Sequence, residues 1–315
     1  MRLDEAIKVY VAAKRASGCV FIGDDRMLRS FARSVGNIAL NNVTPALCEM
    51  FYRKKSPEDT MEGRKHQCLR CFFEFAATRG YVKQVPMKPA PAKRKSSFRP
   101  YIYSRAEVRK LLDSAQDACR VGWFVSGKVL RMLILLLYGA GLRSGEARRL
   151  RLRDLDLESS LLTVWDSKFF KSRFVPLGPD LVAALRTYLK DTGANEADAP
   201  KDRPLFPTPK GTALSEDVLD RAFRRAARIA GIHKQGSKLD VRLHDLRHSF
   251  AVHRLLEWYR SGANVQALLP ALSTYMGHLD LRSTQVYLTM THELLSEASH
   301  RFERYAFPSK EVKNA

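Results

Sequence analysis

Apolar residues recur at three- and four-residue spacing through most of the chain, as they do in α-helices that bury one face. Within the first 85 residues this spacing predicts helices over 5–15, 26–40, 44–54 and 63–78. Thr44 precedes Pro45 in the third stretch, and a threonine N-cap followed by proline at the first helical position is a helix start signal. The pattern therefore predicts a small helical bundle over residues 1–85.

The pattern stops at residues 86–100, where "PMKPAPAKRKSSFRP" contains four prolines, five basic residues and no acidic residue. Such proline density favours an extended linker, so we expect a domain boundary here. The basic residues fit either contacts to a phosphate backbone or a merely solvated linker. Within this linker the candidate phosphate contacts are Lys93, Arg94 and Lys95.

From residue 101 onward the pattern is again mostly helical, with one β interruption. Ser104 and Glu107 form a capping-box sequence, and an apolar helix over 126–138 ends at the glycine turn "GAGLRSGE". "LLTVWDSKFFKSRFVPL" (161–177) reads as two strands around a polar turn, which predicts a hairpin. Further helices are predicted near 180–190, 215–230, 245–259, 264–276 and 292–303. The fold class is therefore expected to be mainly α (α+β) with a small antiparallel β-sheet, and the domains to be 1–85, a linker at 86–100, and 101–315.

The charge of the chain adds the first indication of function. Lys and Arg number 54 against 33 Asp and Glu, which gives a net charge of +21. Such a field attracts polyanions, and nucleic acid is the first expectation, with a basic but inert surface as the alternative. No run reaches the roughly 18 apolar residues of a membrane span, and the N-terminus lacks the apolar core of a signal peptide. We therefore expect a cytoplasmic protein without a membrane partner.

The cysteines and histidines raise the question of a metal. Five scattered cysteines argue against a disulfide framework. Cys68 and Cys71 form a C-x-x-C, but no second pair lies at zinc-ribbon spacing, so they are expected on the buried side of a helix. "LHDLRHSFAVH" (243–253) holds three histidines, but His244 and His253 diverge by about 180° on a helix with about 100° per residue. We expect neither a metal nor another cofactor.

Several polar residues stand out in a fixed order along the second domain. "GLRSGE", "KFFKSRFVPLG", "HDLRH" and "MGHLDLRSTQVYLTM" follow one another, and each residue alone has an ordinary structural explanation. Together they resemble the boxes of the tyrosine recombinase (phage integrase) family over roughly residues 101–300. The six matching positions are Arg143, Lys168, His244, Arg247, His278 and Tyr287.

The resemblance implies roles for these residues. Tyr287 would attack a scissile DNA phosphate and form a 3′-phosphotyrosyl link, while Arg143 and Arg247 would neutralise the phosphate oxygens and His278 would add a hydrogen bond. Lys168, with Lys171 as the alternative, would protonate the 5′-oxygen leaving group, and His244 would support proton transfer around the tyrosine. The supporting candidates are Lys171 and Arg173 as phosphate contacts, and Glu146, Asp154 and His248 as residues that hold the site.

The resemblance also implies partners and assembly. Residues 1–85 would be the family's core-binding (SAM-like) domain, and the protein would act on double-stranded DNA at specific sites. It would work as a homotetramer across two DNA sites, alone or with related recombinases. A type IB topoisomerase and a DNA-binding regulator that has lost the chemistry are the alternatives. The last helix could dock on its own domain or on a neighbouring subunit. His278 follows Arg247 by 31 positions, several more than in compact family members.

Overall fold

The computed structural model describes residues 1–19, 21–53, 61–87, 100–119, 124–165, 172–194, 200–233 and 241–306. Contacts divide the chain into two compact units, whose described residues are 1–87 and 100–306. The proposed linker contacts Lys93, Arg94 and Lys95, together with Lys168 and Lys171, lie outside the described residues. Within the described residues no helix has the length and apolar character needed to cross a membrane.

The first unit is a helical bundle. Its helices are α1 (Leu3–Ala16), α2 (Ile22–Val35), α3 (Pro45–Tyr52) and α4 (Glu62–Thr78). The Thr44 hydroxyl accepts a hydrogen bond from the Leu47 amide at 3.4 Å, which confirms the predicted N-cap. Helix α2 ends earlier than predicted because Gly36 follows it with φ +81°, a conformation that stops a helix. Cys68 is buried in this core and Cys71 is half-buried.

The second unit contains the remaining helices and a small sheet. Ser104 and Glu107 form the predicted capping box at the start of the first of these helices. Residues of the long apolar helix that follows are buried on nearly every side, and they form the centre of the core. The helices are α5 (Arg105–Ala118), α6 (Gly127–Ala140), α7 (Ser144–Arg149), α8 (Pro179–Asp191), α9 (Glu216–Ile229), α10 (Asp245–Arg260), α11 (Val265–Met276), α12 (Arg282–Gln285) and α13 (His292–Ala306).

The sheet has three antiparallel strands in the order β1 (Leu155–Asp156), β2 (Leu161–Val164) and β3 (Arg173–Pro176). Strands β2 and β3 confirm the predicted hairpin, with Val164 opposite Arg173. Strand β1 is too short to show an alternating pattern, so the sequence did not reveal it.

Helix α13 packs against α10 of the same chain. Leu294 is fully buried in a cluster with Phe250, Leu255 and Tyr287. On the rim of this contact, Arg260 pairs with two glutamates of α13. The described residues of the last helix thus contact their own domain.

Candidate active site

A glycine turn after α6 places the first candidate arginine. Gly141 ends the helix with φ +60°, and a Cβ at this position would collide with the Phe250 ring. The chain then enters α7 through Arg143, whose Nη1 donates to Glu146 Oε1 at 2.7 Å and whose Nη2 donates to the Gly277 carbonyl at 2.7 Å. Only glycine allows the turn before Arg143 to pack this closely against Phe250.

The first turns of α10 supply the second arginine and two histidines. Arg247 is only 2% exposed, and it donates from Nη1 to the Gly141 carbonyl at 2.6 Å and from Nη2 to the Met276 carbonyl at 2.7 Å. His244 lies at the N-cap position, with its ring centroid 4.9 Å from that of His248. Arg247 therefore connects two turns that are distant in sequence.

Tyr287 lies in a 3₁₀ helix (Val286–Thr289) and is 3% exposed. Its hydroxyl is 3.1 Å from His248 Nδ1, and its ring stacks on His278 with centroids 6.2 Å apart and planes at 22°. His278 Nδ1 is 2.7 Å from the Thr284 hydroxyl, which fixes the orientation of the imidazole. The tyrosine hydroxyl therefore lies at His248 of α10, and the tyrosine ring lies against His278.

Burial keeps the tyrosine and the histidines of this cluster uncharged near pH 7. Burial raises the pKa of Tyr287, and the positive charges of Arg247 and Arg143 oppose that rise. Burial also lowers the pKa of His248 and of His278 to about 4, and it lowers that of His244, so these rings are neutral near pH 7.

One carboxylate accompanies the guanidinium groups of the cluster. Burial opposes ionisation of Glu146, but hydrogen bonds from Arg173 and Arg143 outweigh it and lower the pKa of Glu146 to about 2. Arg143 and Arg173 thus contact the same carboxylate, and the Arg247 guanidinium lies close enough to interact electrostatically with all three groups. The excess of positive charge beside a buried tyrosine suits a phosphate diester.

The structure brings most of the predicted site residues together, and three placements differ from expectation. Arg173 was expected to contact phosphate, but its side chain is only 10% exposed and is bound to Glu146 and to the Tyr275 carbonyl. Asp154 was expected to orient the site arginines, but it accepts from the Arg151 amide at 2.8 Å within its own 3₁₀ turn. His248, expected as a supporting residue, is the histidine whose ring nitrogen lies at the tyrosine hydroxyl, where His244 was expected.

Sequence reasoning missed two groups in the site. Thr284 has no distinguishing sequence context beyond its position six residues after His278. The backbone carbonyls of residues 275–277 carry no side-chain signature at all, although the glycine before His278 marks the point where α11 ends. No group of three or more His, Cys, Asp or Glu among the described residues is arranged to hold a metal ion.

Comparison with known proteins shows the family of the chain. The sequence model of the phage integrase family matches residues 103–293. A Sinorhizobium fredii protein with the name integrase/recombinase y4rB is 32% identical over 306 residues, covering 95% of this chain and 96% of that protein. Tyrosine recombinase XerC of Xanthomonas axonopodis pv. citri is 32% identical over 234 residues, covering 74% of this chain and 68% of that protein.

Solved structures share the fold. The Tn1549 transposon integrase in complex with transposon right end DNA gives a TM-score of 0.65 at 18% identity, covering 96% of this chain and 99% of that one. A lambda integrase dimer bound to a COC′ core site gives 0.61 at 17% identity, covering 89% and 96%. The family model and the relatives together identify the chain as a tyrosine-type site-specific DNA recombinase. The chain belongs to the phage integrase family.

Proposed function

We propose that this protein cleaves and rejoins DNA through a covalent 3′-phosphotyrosyl intermediate on Tyr287, without a metal ion. The observation that carries the proposal is the buried tyrosine hydroxyl beside a cluster with more guanidinium groups than carboxylates. Protein cations can neutralise the charge that grows on the phosphate oxygens, which is the task that metal ions perform in other phosphoryl-transfer enzymes.

The proposed reaction is a transesterification. The Tyr287 oxygen forms a bond to phosphorus as the bond from phosphorus to the 5′-oxygen breaks, which leaves a 3′-phosphotyrosine and a free 5′-hydroxyl. His248 receives the phenolic proton, because its Nδ1 lies 3.1 Å from the hydroxyl and the incoming phosphate raises the pKa of a neighbouring imidazole. Lys168 protonates the leaving 5′-oxygen. Attack by a 5′-hydroxyl of another strand reverses these steps and restores the tyrosine.

Arg143, Arg247 and His278 bind the scissile phosphate in this proposal. Each arginine uses part of its five N–H donors on protein acceptors and keeps others for the phosphate. His244 packs against His248 and keeps that ring turned toward the tyrosine.

The proposed substrate is double-stranded DNA at specific sites, and the proposed assembly is a homotetramer on two such sites, alone or with related recombinases. Lambda integrase has been solved as a dimer bound to a core site and as a tetramer bound to a Holliday junction, which supports this assembly. Residues 1–85 would bind DNA as a core-binding domain, residues 86–100 would be the linker and residues 101–315 the catalytic domain. Lys93, Arg94, Lys95 and Lys171 would contact the DNA backbone. The reaction would serve integration, excision or transposition.

The test uses duplex DNA selected from a random-sequence library for binding to this protein. The selected duplex is rebuilt with nicks near its centre, so that the short 5′-hydroxyl strand diffuses away after cleavage and traps the intermediate. A protein–DNA adduct that survives denaturation, forms in EDTA and disappears in Tyr287→Phe supports the proposal. An adduct that persists in Tyr287→Phe, or that needs a divalent metal, contradicts it.

A further inference from the structure

Three arginines of the site donate to three consecutive carbonyls at the end of α11. Arg173 Nε donates to the Tyr275 carbonyl at 2.9 Å, Arg247 Nη2 to that of Met276 at 2.7 Å, and Arg143 Nη2 to that of Gly277 at 2.7 Å. The last carbonyls of a helix have no partner within the helix, and they carry its partial negative charge. The end of α11 therefore collects the guanidinium groups, although only Arg143 and Arg247 have a proposed role at the phosphate.

Arg173 differs from the other two arginines in how its donors are used. Its Nη1 and Nη2 donate to the two oxygens of Glu146 at 3.1 and 2.8 Å, while Nε is bound to the Tyr275 carbonyl. Its guanidinium also lies flat against Gly277, where a Cβ would come within 2.8 Å of Nη1 and 3.0 Å of Cζ. All three guanidinium nitrogens are thus bonded to protein acceptors, and one face of the plane packs against Gly277.

Glu146 is shared between Arg173 and Arg143. Oε1 accepts from Arg143 Nη1 and Arg173 Nη1, and Oε2 accepts from the Arg143 amide and Arg173 Nη2. A carboxylate has about four acceptor positions, so Glu146 is saturated. Because Arg173 takes two positions, the Arg143 side chain forms a single bond to Glu146 and can still reach Gly277 and a phosphate.

Without Arg173, a carboxylate that is 2% exposed would lose two of its donors. A buried, unsatisfied carboxylate is unfavourable, and a planar guanidinium prefers to bind both oxygens at once. Arg143 is the nearest group that can do so, and a two-pronged pair with Glu146 would turn its donors away from the phosphate.

We propose that Arg173 is a positioning residue for the cleavage reaction: it occupies two acceptor positions of Glu146 and the Tyr275 carbonyl, and thereby keeps Arg143 turned toward the scissile phosphate. Arg173 also begins β3, so the same bonds fasten one strand of the hairpin to the end of α11. This inference rests on the proposed function. It assigns Arg173 a contact with other site residues in place of the phosphate contact expected from the sequence.

The experiment measures the rate of covalent adduct formation on the nicked duplex, DNA affinity and thermal unfolding for four variants. Arg173→Met removes the guanidinium but keeps most of the volume. Arg173→Lys keeps the charge but cannot bind both Glu146 oxygens. Arg173→Met combined with Glu146→Gln removes the carboxylate that would capture Arg143. Arg131→Met removes one exposed arginine of α6, which pairs with Asp113 at 3.6 Å, and serves as the matched charge control.

We expect Arg173→Met to slow adduct formation about 100-fold, the effect of misplacing a reacting group by roughly 1 Å, while DNA affinity changes no more than in Arg131→Met. Arg173→Lys should recover only part of the rate. Adding Glu146→Gln to Arg173→Met should recover about tenfold, although it removes another member of the network. If Arg173 only stabilised the fold, the double variant would form adduct more slowly than Arg173→Met.

The pH profile supplies a further readout. Losing Arg173 removes the strongest influence that lowers the pKa of Glu146, so this carboxyl should take up a proton at a higher pH in Arg173→Met than in wild type. A protonated Glu146 would release Arg143 as Glu146→Gln does, so the rate of Arg173→Met relative to wild type should rise as the pH falls, and the double variant should lack this rise. If wild type and Arg173→Met form adduct at equal rates, or if the double variant shows no recovery while both variants remain folded, the inference is wrong. Absence of adduct in the wild type would instead refute the proposed function itself.

Discussion

Substituting Gly277 by alanine should test the contact between the end of α11 and Arg173. Gly277 has φ +69° and ψ +42°, so any L-residue there incurs a cost of roughly 1–2 kcal/mol for the left-handed conformation. The new Cβ would also meet Arg173 Nη1 at 2.8 Å and Cζ at 3.0 Å, and the guanidinium cannot retreat without losing Glu146 or the Tyr275 carbonyl. Overpacking of this kind costs about a further 1–3 kcal/mol. We therefore expect Gly277→Ala to lower the free energy of unfolding by about 2–5 kcal/mol.

Gly262 provides the matched control. It has φ +73°, but no heavy atom lies within 4 Å of the position of its Cβ. Gly262→Ala should therefore cost only the conformational part, about 1–2 kcal/mol. Urea unfolding of both variants gives the difference, which isolates the collision with Arg173. In an Arg173→Ala background that difference should fall toward zero, because the colliding atoms are gone. Equal losses for Gly277→Ala and Gly262→Ala would refute the placement of the guanidinium against Gly277.

Four further predictions concern the site and DNA binding. Arg247→Lys should lower the rate of adduct formation at least about 100-fold, because one ammonium cannot serve the Gly141 carbonyl, the Met276 carbonyl and a phosphate together; a rate within threefold of wild type would contradict this. His248→Gln should slow adduct formation by about 10²- to 10⁴-fold, because its ring accepts the Tyr287 proton. An unchanged rate would show that another group accepts this proton. His248 has a folded-state pKa of about 4, below its unfolded value near 6.5, so its contribution to stability is complete above pH 6.5 and is lost as pH falls toward 4. Urea unfolding should show this decline in wild type and a shallower one in His248→Gln. Log DNA affinity should fall by about 0.9 per phosphate neutralised for each tenfold rise in salt, and a flat dependence would contradict binding through the basic surface.

Local signals in the sequence were sufficient for most of the fold. Thr44 and Pro45 begin α3 as predicted, and the Ser104–Glu107 capping box begins α5, because these residues act on backbone groups within one turn. The end of α2 was predicted too late, because apolar spacing continued past Gly36 and outweighed a single glycine. The two-residue strand β1 forms only through its pairing with β2, which a local pattern does not encode.

The site was predictable as a set of residue types and less so as a set of contacts. The order of the boxes singled out Tyr287, Arg143 and Arg247, which the structure brings together. Spacing along a helix could not show which histidine meets Tyr287, a contact across 39 positions. Arg173 was expected to contact phosphate, and its neighbours Ser172 and Phe174 give no sign that its side chain is buried. Its burial depends on Glu146 and Tyr275, which lie 27 and 102 positions away.

The three carbonyls at the end of α11 have a genetic consequence. A substitution at residue 275 or 276 changes a side chain but leaves the oxygen that holds an arginine in place. Few point mutations can therefore remove these carbonyl acceptors. Only changes that unwind the last turn of α11, such as a proline there or loss of Gly277, displace them. The loop between α10 and α11, residues 261–264, carries no side chain of the proposed site. Insertions ahead of α11 should be tolerated wherever they leave its final turn in register, so diversity in that segment can accumulate while the arginines keep their acceptors.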